Sequence, residues 1–120
     1  MTIKGKKFRL FLAESFAQKA VGLMYRPNIK ANEGMLFKFP FNHHWKIWML
    51  NMKFPIDVVW LDEKFRIVHI ERGMRPCSNI FSCKSFSPDK QSRYVLELAA
   101  GAAARLKLRR GEIIKGIAAA

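Results

Sequence analysis

The stretch PIDVVWLDEKFRIVHIER, residues 55–72, sets the architecture. Successive side chains of an extended chain point to opposite faces. The run IDVVWLD therefore puts Ile56, Val58 and Trp60 on one side and Asp57, Val59 and Leu61 on the other. Asp62, Glu63 and Lys64 are polar and turn-forming, and the second run, FRIVHIER, follows directly. Two such runs around a short polar link predict a β-hairpin.

The flanking sequence repeats the pattern. Residues 93–99 (RYVLELA) predict a strand with Tyr94, Leu96 and Leu98 on its core face. Arg93 and Glu97 share the other face with Val95 and point away from that core, into solvent or a cleft. Residues 45–52 (WKIWMLNM), 35–39 (MLFKF, between Gly34 and Pro40) and 7–13 (KFRLFLA, with Phe8, Leu10 and Leu12 on one side) read as further strands. Ser15 and Gln18 make a capping box, S-x-x-Q, with Phe16, Ala20, Leu23 and Met24 at helical spacing behind it. Pro27 ends that short helix. The alanine-rich segment 99–108 predicts a second, and Arg110-Gly111 turns into a last strand, EIIKGI (112–117). Between them, residues 73–92 form a long loop with two prolines and both cysteines; such loops are usually functional or tied down. The sum is a mainly β fold, a β-sandwich or distorted barrel, with two short helices.

A chain of 120 residues fits one domain, spanning 1–120. Half of it is hydrophobic, with 10 Phe and 3 Trp, enough for a core without metal or disulfide support. No stretch approaches the roughly 20 apolar residues of a membrane span. The N-terminus, MTIKGKKFRLFLAESF, is basic and then apolar, but Glu14 and Ser15 break the apolar part early and no small-residue cleavage site follows. These features predict a cytoplasmic protein. The net charge of +13 and pI near 10.3 favour polyanionic partners, nucleic acid among them. The basic residues are dispersed, however, and dense only at 4–7 and in RLKLRR, 105–110. A heavily charged, solvated surface of the kind proteins of hot environments carry accounts for the same number.

Asp57 interrupts an apolar run, and a carboxylate buried there needs a partner. It is either a structural cap or ion pair, or one half of a carboxylate pair with Glu97 that acts as general acid and base or accepts hydrogen bonds from a ligand. Cys77 and Cys83, in PCSNIFSC, either close a small disulfide or stay loop thiols, as a reducing cytosol would keep them. Their spacing is not C-x-x-C. A zinc site would need two further ligands, and His43 and His44 are adjacent rather than finger-spaced, so no metal and no cofactor are expected. His69, beside Ile67 on its strand, reads as a core or edge histidine. Trp45, Trp48 and Trp60, with Phe41 and Phe54, make the central third aromatic. Alternation sets Trp48 against Trp45, so one of the two faces away from the core or into a pocket, where an aromatic wall holds sugars, nucleobases or apolar ligands. Core packing is the alternative. No P-loop, G-x-G-x-x-G or Ser-His-Asp order occurs.

Four stretches taken together, GLMYR (22–26), GMLFKF (34–39), WMLNMKFPIDVVWLD (48–62) and RYVLELAAG (93–101), resemble in order and spacing the family called domain of unknown function 192. The resemblance covers nearly the whole chain and implies a compact, mainly β domain. Its pattern falls on Gly22, Leu23, Met24, Arg26, Gly34–Phe37, Trp48, Met49, Asn51, Pro55, Asp57, Tyr94–Glu97 and Gly101. The chain departs at Met52, where the family usually has threonine, at Ile56 for leucine and at Glu112 for aspartate. A cysteine pair before Y-V-L-E recurs in some relatives and fits a loop disulfide there. The family has no established activity, so the resemblance supplies a fold and polar positions: Arg26, Asn51, Asp57, Arg93 and Glu97. The first expectation is a small binding domain for a polar or sugar-like ligand, in a cleft around Arg26, Asp57 and Glu97. Asp57 and Arg26 would be its anchors and Trp48 its stacking wall. The second is a polyanion- or RNA-binding accessory protein using its dispersed basic surface. The third is a small hydrolase or lyase using Asp57 and Glu97.

Overall fold

The computed structural model of the protein describes residues 1–117; positions 118–120 of the expected domain lie outside them. Along the chain run β1 (Thr2–Ile3), β2 (Lys6–Lys7), β3 (Arg9–Ala13), α1 (Phe16–Val21), β4 (Glu33–His43), β5 (Ile56–Leu61), β6 (Ile67–Met74), β7 (Ser92–Ala99) and α2 (Ala102–Arg105). β1 and β2 form a small hairpin, and the others one five-stranded sheet in the order β3-β4-β7-β5-β6. β3 lies parallel to β4, and every other pairing is antiparallel. The fold is mainly β, and the sheet does not close into a barrel.

The 55–72 hairpin forms, and β5 is buried at every position because both faces of the sheet are covered. Val59 and Leu61 join Leu36, Leu96 and Leu98 in one core, sealed by the β1–β2 hairpin, α2, Leu108, Ile114 and Ile117. Ile56, Val58 and Trp60 join Met35, Phe37 and Val95 in a second, on the opposite face. Irregular chain seals this one: Leu23 after α1, Ile47, Met49 and Met52, with Cys77 and Phe86 packed at its margin. The face of β7 read as pointing away from the core therefore has a core of its own.

That second cover explains where the sequence reading and the structure part. Residues 45–52 alternate like a strand but make only isolated bridges, Ile47 to Phe86 and Leu50 to Cys77, since Ile47, Met49 and Met52 pack onto a face of the sheet rather than along its edge. EIIKGI likewise bridges only Arg66 to Ile113 while Ile114 and Ile117 plug the first core. α1 stops at Val21, well before Pro27, because Gly22 turns out of the helix at φ 50° and ψ −129°. Its Phe16 is 90 % exposed rather than on a core face. α2 is likewise shorter than the segment 99–108.

A disulfide joins Cys77 to Cys83. The Cys77 backbone donates to Met49 (3.1 Å) and accepts from Asn51 (3.0 Å), so the cross-linked loop holds the 49–51 segment against the second core. Closing so short a loop restricts the unfolded chain by about 2 kcal/mol. Reduction, or the double variant Cys77→Ser/Cys83→Ser, is expected to lower the melting temperature by several degrees and to shift the Trp48 indole resonance. Unchanged melting on full reduction would show that the backbone bonds alone hold this segment.

Candidate functional site

Glu97 belongs to β7, with Met35 of β4 and Val58 of β5 as its cross-strand neighbours. Those registers turn its side chain into the second core, where it is only 5 % exposed. Among the described residues none donates a hydrogen bond to it, and burial alone pushes its carboxyl up to about 8 from the usual 4.5. At neutral pH it is therefore mainly the neutral acid, with one O–H to donate.

Its carboxyl floors a cleft of about 240 Å³, whose walls include Gly22, Phe37, Met52, Trp48, Lys19 and Lys46. The left-handed φ of Gly22 lets the chain leaving α1 press on the Phe37 ring; a Cβ there would stand 3.1 Å from the ring edge. Trp48 is 38 % exposed. A second cavity, about 520 Å³, shares Lys19, Ala20, Phe37, Lys46 and Ile47 with the first and continues over Phe39 and Trp45. Phe39 and Trp45 stack at 3.9 Å, and the Lys19 ammonium sits 4.7 Å over the Phe39 ring.

Asp57 lies on the opposite face of the sheet, opposite Leu98, while Glu97 pairs with Val58. The two carboxylates therefore form no acid–base pair, and Asp57 is not in the cleft. The reason is the period of two along each strand: one residue's difference in register exchanges faces. The Asp57 carboxylate is 1 % exposed and accepts three backbone N–H groups, from Gly73 (2.9 Å), Gly101 (3.1 Å) and Ala103 (2.9 Å). Arg26 is on the Glu97 side, but its guanidinium stacks 4.6 Å over Phe11 in a neighbouring cavity that shares only Val21 and Gly22 with the cleft. Asn51 is a joint at φ 60°; its Nδ2 donates to the Tyr25 hydroxyl (2.9 Å) and its carbonyl accepts from the Tyr25 N–H. Arg93 donates from Nε to the Phe39 carbonyl (2.7 Å). The expected cleft around Arg26, Asp57 and Glu97 is thus three separate places, and of the named residues it joins only Glu97 and Trp48. The sequence reading missed Lys19 and Lys46, one on a short helix and one in irregular chain, which no periodicity relates. Among the described residues no three His, Cys, Asp or Glu side chains converge on a metal site, and no helix is long and apolar enough to cross a membrane.

A mixed five-stranded sheet, buried on both faces and cleft on one, defines a small mainly β domain with a core on each side of its sheet. The chain belongs to the DUF192 family, described as "Uncharacterized ACR", whose family model matches residues 1–116. It is 30 % identical over 105 residues to a UPF0127 protein of Thermococcus gammatolerans, covering 86 % of this chain and 63 % of that one. A UPF0127 protein of Thermococcus kodakarensis is 28 % identical over 115 residues, 92 % of this chain and 68 % of its own length. The chain thus spans about two thirds of these curated relatives. Two crystal structures share the fold. A candidate transcription regulator from Sinorhizobium meliloti superposes with a TM-score of 0.81 at 30 % identity, over 88 % of this chain and 79 % of that one. A protein of unknown function from Novosphingobium aromaticivorans gives 0.82 at 28 %, over 96 % and 80 %.

Proposed function

We propose that this domain binds a small, polar, sugar-like ligand in the cleft between Glu97 and Trp48. One observation carries the reading: a residue whose carboxyl is nearly fully buried, lacks a protein hydrogen-bond partner among the described residues and lines that cleft. Its oxygens are not sealed in the core like Ser92 Oγ but reach the cleft surface, where a ligand hydroxyl can partner them. Trp48 contributes a flat apolar wall of the kind on which sugar rings stack. The cleft and its neighbouring cavity together fall in the range of small-molecule sites.

The test is a thermal-shift screen of monosaccharides, disaccharides, nucleotides and short RNA against wild type and Trp48→Ala. A ligand of this cleft stabilises wild type by roughly 2–3 kcal/mol at a hundredfold excess over its dissociation constant. Trp48→Ala is expected to weaken it at least tenfold. A compound that stabilises both proteins equally binds elsewhere, and a screen in which every compound does so removes the reading.

A second reading, nucleic-acid binding, draws on the +13 charge and on the likeness to a candidate transcription regulator. The half-exposed Phe41 beside Trp45 adds a surface on which bases could stack. It requires affinity that falls steeply with salt. RNA affinity that is absent at low salt, or flat between 50 and 200 mM salt, ends it.

A further inference from the structure

The charges around the cleft go further than its shape. Lys19 and Lys46 line both cavities, so their stems form the shared wall. Among the described residues neither has a carboxylate partner; the Lys19 ammonium rests on the Phe39 ring and Lys46 is exposed. Among the described residues Glu97 is the one acidic side chain lining either cavity. The cations lining the same cleft are Lys19 from α1 and Lys46 from the 45–52 segment, neither of which shifts the proton affinity of the Glu97 carboxyl, whereas β4 and β5 present apolar Met35 and Val58.

We propose that the ligand of this cleft is an anionic sugar, a sugar acid or sugar phosphate, whose acidic group lies between the Lys19 and Lys46 ammonium groups while a ring oxygen or hydroxyl meets the Glu97 carboxyl. This rests on the binding reading above and names its ligand class. An ionised Glu97 would repel such a ligand, and the neutral acid donates to it instead. Among the described residues the two lysines have no other counter-charge, so the anion completes them. The overall +13 draws anions towards the protein before they dock. A cation is disfavoured, because it would meet two ammonium groups first.

Three sodium-salt or neutral probes sharing one ring separate the possibilities: glucose, glucuronate and glucose 6-phosphate. Each is titrated into the ¹⁵N-labelled full chain at pH 6.5 and 0.3 M NaCl, where diffuse surface attraction is screened. The Trp48 indole and Gly22 amide report the cleft. Both anions are expected to shift these signals and to bind at least tenfold more tightly than glucose. Lys46→Ala, at an exposed position, is expected to weaken the anions at least fivefold and to weaken them more than it weakens glucose. Between pH 6.5 and 9, anion affinity is expected to fall severalfold and at most about tenfold in wild type, as the carboxyl that titrates near 8 ionises. In Glu97→Gln the ratio between the two pH values collapses towards one, whatever the variant's own affinity. Glucose binding as tightly as the anions at the same signals overturns the anion assignment and leaves the binding reading standing. Anions that move only amides in the 105–110 basic run, or that shift no cleft signal, also overturn it. The Trp48→Ala screen then judges the broader reading alone.

Discussion

Asp57→Ala is expected to lower the melting temperature by roughly 10 °C or more. The carboxylate accepts N–H groups from Gly73 at the end of β6 and from Gly101 and Ala103 around the start of α2. It thereby ties the outer strand of the sheet to the short helix that seals the first core. Hydrogen bonds to a charged acceptor each contribute about 1.5–3 kcal/mol, and every buried donor left without a partner costs about 1–3 kcal/mol. Alanine also leaves a gap beside Leu98, the register partner of Asp57. A loss of about 4 kcal/mol or more is a large share of the 5–15 kcal/mol typical of a whole domain. Asp57→Asn keeps one acceptor oxygen but turns an NH₂ towards an N–H donor, so about half that loss is expected. Thermal denaturation followed by circular dichroism measures both. If Asp57→Ala melts within two or three degrees of wild type, the three bonds do not organise α2. The same reasoning disqualifies Asp57→Asn as a probe of ligand binding, since weaker binding by a destabilised fold would say nothing about contact.

The hairpin and its two faces were legible because one apolar run met a short polar turn and another run. The partition of Ile56, Val58 and Trp60 from Val59 and Leu61 follows from the period of two alone, and it is the partition between the two cores. The second core was less legible. β7 looks one-sided because Arg93 and Glu97 sit on its other face, yet β5, apolar at both parities except for Asp57, already implied a strand covered on both sides. What covers that side is chain without regular structure, and its apolar residues mimic strands. Asn51 at φ 60° breaks any ladder through residues 45–52, and nothing local in the sequence marks that turn. The candidate site depends on contacts between segments far apart in the chain. Glu97 could be singled out as an acid on an apolar strand, and Trp48 as an aromatic facing away from the core. That Glu97 lacks a partner among the described residues, that Asp57 has three, and that Lys19 and Lys46 share a wall are consequences of packing.

Glu97→Gln is expected to stabilise the domain at alkaline pH and to change little in acid. The unfolded chain releases this proton near the ordinary 4.5 and the folded chain near 8. Below 4.5 both states hold the proton, and the group contributes no pH dependence. Between the two values the folded state binds more protons than the unfolded one, so stability falls as pH rises. Above 8 both states are ionised, and the folded protein carries the full cost of a buried, unpartnered carboxylate. A raised carboxyl thus acts opposite to the salt-bridged acids that make proteins lose stability in acid. The span corresponds to roughly 3–5 kcal/mol between the limits. Glutamine, a neutral isostere, carries none of it. Melting curves of wild type and variant at half-unit steps from pH 4 to 9.5 cancel the contributions of every other group when subtracted. The difference should stay near zero at pH 4, open between 4.5 and 8 in favour of the variant, and level off at about 10 °C. A difference constant across the range would mean that Glu97 titrates like a solvated acid, and that water or a cation already reaches its carboxyl. The cleft would then have no neutral acid to offer an anion. If the difference opens as described, an anionic sugar should stabilise wild type less at pH 9 than at pH 6.5 and the variant equally at both, which would tie the proton to the ligand.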